Sequence, residues 1–250
     1  MSARLLDAGD GAVTIEFGDR IAQELVARVG ALELALDGAR ARGEMPGVVE
    51  TMPTFRSLTV LYDPLQTGRA QIDPVLLRLL NEVLANAGPA AAASVRRWRL
   101  PVCYGGELGV DLAAVATAVG LDPDAVVQMH ADTEFSVYMI GFMPGLPFMG
   151  DLPPALSMPR LREPRLRVPA GSVAITGGLT TIYPWESPGG WQLIGRCPVP
   201  LFDAAAERPS LLAPGDKVRF EPVSAPRLAA LQAAIRAGEV AAASWLEGQA

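Results

Sequence analysis

Four arginines crowd into eight residues of an otherwise acidic chain, and they are the side chains best suited to chemistry. They are Arg160, Arg162, Arg165 and Arg167, in a chain of 250 residues whose formal net charge is −6. A planar guanidinium donates paired hydrogen bonds that match the oxygens of a carboxylate or phosphate. We therefore predict an anion-binding segment, with Arg165 and Arg167 as catalytic residues and Arg160 as a substrate-binding residue. The alternative is a solvated loop whose arginines pair with surface carboxylates.

A segment rich in glycine and hydroxyl side chains follows the arginines. Residues 170–181 have the sequence AGSVAITGGLTT. Glycine backbone N–H groups can approach an anion closely, and neighbouring hydroxyl groups can donate to the same ligand. This predicts contacts with a bound substrate from Ser172, Thr176, Gly177 and Thr180. The alternative is a β-hairpin with Gly177 and Gly178 as its two-residue turn.

The next stretch, YPWESPGGWQ at residues 183–192, supplies three further candidates for substrate binding. Glu186 is the acid beside the basic segment, and it either orients an arginine or lies on the surface. Tyr183 and Gln192 are also predicted to face the ligand. Trp191 is more typical of a core or interface position than of a catalytic one.

His130 is the single histidine of the chain and closes a predicted helix. Because its usual pKa lies near 6.5, it is suited to act as a general base or to bind a phosphate. Its position alone favours a histidine that interacts with the last carbonyl groups of the helix.

The composition excludes several classes of protein and site. The isoelectric point near 4.9 argues against nucleic-acid binding. No apolar run reaches the roughly 18–20 residues of a membrane span, and the N-terminus lacks a signal pattern, so we expect a cytoplasmic protein with Cys103 and Cys197 reduced. The single lysine, Lys217, lies in a turn-like sequence, which excludes a P-loop and a biotin-carrying lysine. One histidine and two distant cysteines predict no metal site.

The apolar periodicity and the turn residues predict an α+β protein. A small N-terminal α+β sandwich domain is expected over residues 1–90, and its second helix is predicted to begin with Asp73 as N-cap and Pro74 in the first turn. Residues 88–93 form the predicted connector. The strands expected in this domain are 12–18, 47–52 and 57–62, and the helices are 20–42 and 73–86.

The second part of the chain has a different character. A strand at 96–103 and two short helices at 111–119 and 123–131 precede short strands interrupted by proline and glycine. This pattern is typical of a β-barrel or sandwich, which we assign to residues 91–222. The C-terminal segment 223–250 is predicted to form a helix at residues 225–246.

Several of these stretches resemble one known family. Residues 141–153 (GFMPGLPFMGDLP), 159–175 and 181–203, and also 47–64 and 100–112, are similar to the PxpB/KipI/allophanate hydrolase subunit 1 family. The resemblance extends to about residue 222. It implies that the barrel is cyclophilin-like. Because members commonly carry a histidine at this position, it also adds His130 to the predicted catalytic residues.

The resemblance implies a subunit of a larger enzyme. One branch is the B-subunit of a bacterial ATP-dependent 5-oxoprolinase. In that enzyme the B-subunit works with the C-subunit, which is KipA-like or allophanate hydrolase subunit 2-like, to activate the lactam of 5-oxoproline, and the A-subunit then completes ring opening to glutamate. ATP with magnesium is expected to bind together with the partner subunit, and no biotin is attached to this chain. The alternatives are a carboxyltransferase-type subunit of a biotin-dependent urea carboxylase system and a histidine-kinase inhibitor.

Two features bear on the substrate and the partner. Where members commonly have Gly-x-Gln-Thr-Gly-Ile-Tyr-Pro, this chain has Leu179 and Thr181 in place of the glutamine and the second glycine. A different substrate is expected if this loop contacts the ligand. The apolar segment 141–149 is predicted to form a pocket wall or a contact with the C-subunit, because exposed apolar area needs a cover. The alternative is a buried crossing of the barrel.

Overall fold

The computed structural model describes residues 3–85 and 95–248, which belong to two compact units divided between residues 94 and 95. The predicted connector at 88–93 lies outside the described residues. Within the described ranges no single helix is long and apolar enough to cross a membrane, and one pair of helices reaches that length only with a 93° bend between them.

The N-terminal unit has an antiparallel four-stranded sheet with two helices. Its elements are β1 (Arg4–Asp7), β2 (Ala12–Glu16), α1 (Gln23–Ala41), β3 (Val48–Pro53), β4 (Ser57–Tyr62) and α2 (Arg69–Ala85). The strand order is β1-β2-β4-β3. Alternate residues of the central strands, such as Val13 and Ile15 on β2, are buried together with Leu25 and Leu76 of the helices. The period of two on the strands and of 3.6 on the helices produces this core.

The predicted start of the second helix is wrong. α2 begins at Arg69, so Asp73 is not its N-cap and Pro74 lies inside the helix. Two interactions stabilise the additional first turn of α2. The Nε and Nη2 groups of Arg69 donate to Asp73 at 2.6 and 3.0 Å, and the buried side chain of Ile72 adds apolar contact. The short edge strand β1, which is mostly exposed, was also not predicted.

The second unit is a closed barrel with flanking helices. Its elements are β5 (Arg97–Tyr104), α3 (Leu112–Val119), α4 (Pro123–Asp132), β6 (Phe135–Ile140), β7 (Pro147–Gly150), β8 (Arg165–Val168), β9 (Ser172–Thr176), β10 (Leu179–Ile182), β11 (Ser187–Gly189), β12 (Gln192–Arg196), β13 (Lys217–Pro222) and α5 (Ala225–Arg236).

Seven of these strands close in the order β10-β7-β6-β13-β5-β12-β9, and β8 pairs with β11 in a separate two-stranded sheet. Strands β5 and β13 run parallel, and the other pairs in the barrel are antiparallel. Apolar side chains such as Phe135, Val137 and Phe220 fill the interior. The expected α+β class and the barrel are confirmed.

The C-terminal helix is shorter than predicted. α5 ends at Arg236, and Gly238 follows with a left-handed φ of 72°, which stops the helix. The chain then forms a 3₁₀ turn at Ala242–Trp245 and returns to the barrel, where the N–H of Glu247 donates to the carbonyl of Arg97 at 2.7 Å. Residues 237–248 are therefore anchored to the edge of β5.

Candidate functional site

An aromatic-walled cleft of about 130 Å³ lies beside the two-stranded sheet β8–β11. Its polar and backbone lining includes Arg160, Thr181 and the glycines 189 and 190. The aromatic residues that line it are Phe142, Phe148, Tyr183 and Trp191. A small cleft of this kind suits a compact ring with an anionic group.

The apolar segment 141–149 forms one wall of the cleft, through Phe142, Leu146 and Phe148. Gly145 has a φ of 78°, and a Cβ there would lie 2.7 Å from the Cβ of Phe202, so this close approach requires glycine. Phe142 has a φ of 69° and is 74% exposed at the cleft. The prediction that this segment forms a pocket wall agrees with its position.

Aromatic packing connects this wall to the other aromatic residues that line the cleft. The rings of Phe148 and Trp191 meet edge to face, with centroids 5.9 Å apart. Tyr183 is buried, and its hydroxyl group packs so closely that a Cβ on Gly189 would lie 2.6 Å from it. Glycine at position 189 of β11 is therefore needed to leave room for the Tyr183 ring.

Arg160 lies at the cleft on a tethered segment. Gln192 donates through Nε2 to the carbonyl of Pro159 at 2.9 Å, and the N–H of Leu161 donates to the carbonyl of Gly190 at 2.7 Å. Arg160 itself is exposed and has no acidic partner within 4.0 Å in the described part of the chain. Gln192 is thus buried behind the cleft and holds the backbone that carries Arg160.

Arg165 forms a partly buried ion pair with an aspartate that was not predicted as a site residue. Its Nη2 donates to Oδ1 of Asp111 at 2.6 Å, and Oδ2 of Asp111 accepts from the N–H of Leu193 at 2.7 Å. The Nη1 group of Arg165 is buried without a hydrogen-bond partner among the residues that the structure describes. Sequence reasoning missed Asp111 because it directly precedes α3, where an aspartate is an ordinary helix-start residue.

Arg160 and Arg165 both affect the pKa of the Tyr183 side chain. Burial raises the pKa of Tyr183, whereas the positive charges of Arg160 and Arg165 act in the opposite direction. Both guanidinium groups therefore lie near enough to Tyr183 to favour its anionic form. Because burial is the larger effect, the pKa of Tyr183 is raised overall and its phenol stays protonated.

Arg167 occupies a different environment from Arg165. Its Nε donates to Oε1 of Glu186 at 2.9 Å, and its side chain is 78% exposed. Glu186 therefore does orient an arginine, and the pair lies on the surface. Of the predicted catalytic arginines, only Arg165 lies beside the cleft, whereas Arg167 matches the alternative of a solvated arginine paired with a carboxylate.

The predicted hydroxyl residues stabilise the barrel and do not line the cleft. Ser172, Thr176 and Thr180 are buried, and they donate to the carbonyls of Pro169, Met158 and Ala174 at 2.7, 3.1 and 3.2 Å, respectively. Their hydroxyl groups are thus satisfied by the backbone.

The hairpin predicted for the glycine-rich segment is confirmed. Strands β9 and β10 are antiparallel neighbours, and Leu179 faces Thr176 across the turn at Gly177 and Gly178. Gly177 is exposed and has a φ of 51°, as such turns require. Thr181 lines the cleft from β10 and donates to the carbonyl of Pro147 at 2.6 Å. One of the two positions at which the sequence departs from the expected family pattern therefore lies in the cleft lining.

His130 lies inside the barrel unit and is fully buried. Its Nδ1 is 2.8 Å from the hydroxyl group of Tyr104, its Nε2 is 2.9 Å from Oγ1 of Thr180, and its ring stacks on Phe220 at 4.8 Å. Burial lowers the pKa of His130 to about 3, so the imidazole is neutral at physiological pH. Both ring nitrogens are engaged, which is the arrangement of a structural histidine and gives no support to a catalytic role.

No cluster of metal ligands exists in the described ranges. Residues 3–85 and 95–248 contain no group of three or more histidine, cysteine, aspartate or glutamate side chains that could hold an ion. Cys103 and Cys197 are both free and buried, and burial raises the pKa of the Cys197 thiol to about 12. These thiols are therefore unsuited to act as nucleophiles.

Comparisons with known proteins point to one family. The family model "Carboxyltransferase domain, subdomain C and D" matches residues 3–212. The 5-oxoprolinase B-subunit of Bacillus subtilis (strain 168) is 39% identical over 222 residues, which are 86% of this chain and 91% of that protein. The 5-oxoprolinase B-subunit of Escherichia coli O157:H7 is 44% identical over 179 residues, with 72% and 80% coverage.

Solved structures and more distant relatives extend the comparison. The crystal structure of TTHA0988 matches with a TM-score of 0.73 at 39% identity, over 86% of this chain, and the chain spans only 41% of that longer one. The urea amidolyase of Saccharomyces cerevisiae is 26% identical over 247 residues, which are 87% of this chain and 13% of that protein. The structure of the K. lactis urea amidolyase, at 21% identity and a TM-score of 0.75 over 95% of this chain and 16% of that one, shares the fold.

Proposed function

The chain belongs to the carboxyltransferase subdomain C and D family and is related to the B-subunit of 5-oxoprolinase, and from this premise we propose that it is the B-subunit of an ATP-dependent 5-oxoprolinase. In this role it acts with the C-subunit, a KipA-like protein, to activate the lactam of 5-oxoproline, and the A-subunit then completes ring opening to glutamate. The observation that carries the proposal is the small aromatic cleft with two arginines beside Tyr183.

The chemistry of 5-oxoproline fits this cleft. The molecule is a compact five-membered ring with one carboxylate and one lactam carbonyl. The apolar ring carbons suit the faces of Phe148 and Trp191, and the carboxylate suits the unpaired charge of Arg160. Donors near the lactam oxygen, from Arg165 and from the Tyr183 hydroxyl group, stabilise negative charge that develops there during activation.

The cleft is too small to hold ATP by itself. Pockets for drug-sized ligands enclose roughly 300–1,000 Å³, whereas this one encloses about 130 Å³. ATP with magnesium therefore binds together with the C-subunit in this proposal. When bound, ATP supplies the phosphoryl group that makes the lactam oxygen a better leaving group. The role of this chain is to bind the ring, to orient its carbonyl and to exclude water from it.

A carboxyltransferase-type role with a urea-like amide is the second candidate. Two observations favour it: the similarity to urea amidolyase over most of the chain, and the presence in the cleft lining of Thr181, a position where the resemblance leads us to expect glycine. Such a role would require biotin on another chain, because the only lysine, Lys217, donates within the barrel to Ser136 at 2.6 Å.

The experiment is ADP release by the chain mixed with its cognate A- and C-subunits, with and without 5-oxoproline. Stimulation by 5-oxoproline that disappears when this chain is omitted supports the proposal. Replacing Arg160 by alanine should then raise KM for 5-oxoproline about 10–100-fold, the equivalent of one lost charged hydrogen bond. A stable complex without stimulation by 5-oxoproline would refute the proposal and favour carboxyl transfer.

A further inference from the structure

We propose that Asp111 is a positioning residue that aims Arg165 at the uncharged carbonyl oxygen of the substrate, while Arg160 binds its carboxylate. This division of labour rests on the proposed function, because 5-oxoproline carries one group of each kind. It assigns one ligand oxygen to Arg160, which lines the cleft, and another to Arg165, which lies beside it, and it gives a role to an aspartate outside the cleft lining.

Asp111 is fixed at both its backbone and its side chain. Its N–H donates to the carbonyl of Leu193 at 2.9 Å, and its Oδ2 accepts from the N–H of Leu193 at 2.7 Å. Only Oδ1 remains for Arg165, whose Nη2 lies 2.6 Å away. Because its carboxylate is tied to β12 and only 12% exposed, Asp111 holds Arg165 in one orientation.

The other terminal nitrogen of the Arg165 guanidinium, Nη1, lacks a hydrogen-bond acceptor in residues 3–85 and 95–248. Nη1 is buried without a hydrogen-bond partner in the described part of the chain, and a charged donor left in this way is costly. Arg165 lies directly across from Gly189, a residue of the cleft wall, and its charge is felt at Tyr183. A ligand oxygen in the cleft is the acceptor that fits this donor. Since Nη1 is closed to solvent, binding requires a small shift of the groups that cover it.

The charge balance decides which oxygen each arginine takes. Arg165 is neutralised by Asp111, so the pair presents a directed N–H donor with no net charge. Arg160 has no acidic partner within the described ranges and presents a full positive charge. A carboxylate is attracted to the net charge, whereas a neutral amide oxygen needs a well-aimed donor. The lactam oxygen is therefore assigned to Arg165.

The test separates the two halves of the substrate. In the complex with the A- and C-subunits, binding of 5-oxoproline, L-proline and 2-pyrrolidinone is measured by competition and by ligand-observed NMR. L-Proline has the carboxylate without the carbonyl, and 2-pyrrolidinone has the carbonyl without the carboxylate. D111N should weaken binding of 5-oxoproline and 2-pyrrolidinone about tenfold, the low end for a charged hydrogen bond, and leave L-proline unchanged. R160A should show the opposite pattern.

Two controls distinguish positioning from stability. Asp216 forms a comparable ion pair with Arg96 at 2.6 Å in the same unit and does not line the cleft, so D216N should leave all three affinities unchanged. R165K should reproduce the D111N pattern, and the double variant should be no weaker than R165K alone. Equal losses for L-proline and 2-pyrrolidinone in D111N, or no loss for either, would overturn the proposal.

The failure of the proposed function has a different signature. If the wild-type complex neither binds nor turns over 5-oxoproline, both the proposed substrate and the proposed contact between Arg165 and its carbonyl oxygen are refuted. The positioning claim is then decided by modification of arginines with phenylglyoxal, mapped to Arg165 by mass spectrometry. D111N should accelerate the labelling of Arg165 if Asp111 holds it. Unchanged labelling would overturn the positioning role.

Discussion

Replacement of His130 by glutamine should remove a pH dependence of stability that belongs to the barrel unit. His130 is fully buried between Phe135 and Phe220, and both ring nitrogens are hydrogen-bonded. Burial lowers its pKa in the folded protein from 6.5 to about 3. Glutamine keeps a hydrogen-bonding side chain there but cannot take up a proton.

The sign of the effect follows from the depressed pKa. Above pH 6.5 the imidazole is neutral in both states, so it adds no pH dependence. As the pH falls below 6.5, His130 binds a proton in the unfolded chain but not in the folded protein, so the free energy of unfolding decreases. At 1.36 kcal/mol per pKa unit, the interval from 6.5 to about 3 corresponds to a loss of about 5 kcal/mol. About half of this loss should occur by pH 4.5.

The assay is urea unfolding followed by tryptophan fluorescence at a series of pH values between 7 and 4.5. All four tryptophans lie after residue 95, so their signal reports the barrel unit. The wild-type protein should lose stability relative to its value at pH 7, and His130→Gln should lose less, with a difference that grows by about 1.4 kcal/mol per pH unit. Parallel wild-type and variant curves would refute the assignment of a buried neutral histidine.

A second group, Glu33, titrates in the same pH range, and its effect on the free energy of unfolding has the opposite sign. Burial raises the pKa of Glu33 on α1 from 4.5 to about 7, and the nearby Asp37 adds to the rise. The stability that protonated Glu33 contributes is therefore complete below pH 4.5 and is lost as the pH rises through 7. In urea unfolding followed by far-UV circular dichroism, which also reports the helices of the N-terminal unit, Glu33→Gln should remove this loss. It should not change the difference between the wild-type protein and His130→Gln in the tryptophan signal.

Three further predictions concern single side chains. Thr181→Gly, which removes a side chain from the cleft wall, should lower KM for 5-oxoproline in the ADP-release assay, and an unchanged KM would show that Thr181 does not limit the substrate. Gly150→Ala should cost about 1–3 kcal/mol in urea unfolding, because its Cβ would overlap the Tyr138 ring. A wild-type midpoint would contradict this packing. Arg167→Ala should change the free energy of unfolding by less than about 1 kcal/mol, since its pair with Glu186 is exposed, and a larger loss would disprove that view.

Local patterns in the chain were enough for most of the fold. The strand at 57–62 and the hairpin turn at Gly177 and Gly178 follow from alternation and turn residues, and the structure has both. The start of α2 was misjudged because an Asp-Pro pair is a strong start signal, whereas the Arg69–Asp73 ion pair and burial of Ile72 extend the helix by a turn. Such interactions lie outside the reach of a local rule.

The family and the barrel were determined by the sequence alone, because they depend on residue types and their spacing. Only the tertiary structure decided that Arg160 lines the cleft and that Arg165 lies beside it, across from Gly189. Arg165 meets Asp111 from 54 positions away, and Arg167 meets Glu186 at the surface. The tertiary structure also brought His130 into contact with Thr180, which is 50 positions away in the sequence. Closure of the barrel creates these contacts, and a pattern that repeats every two or four residues carries no information about them.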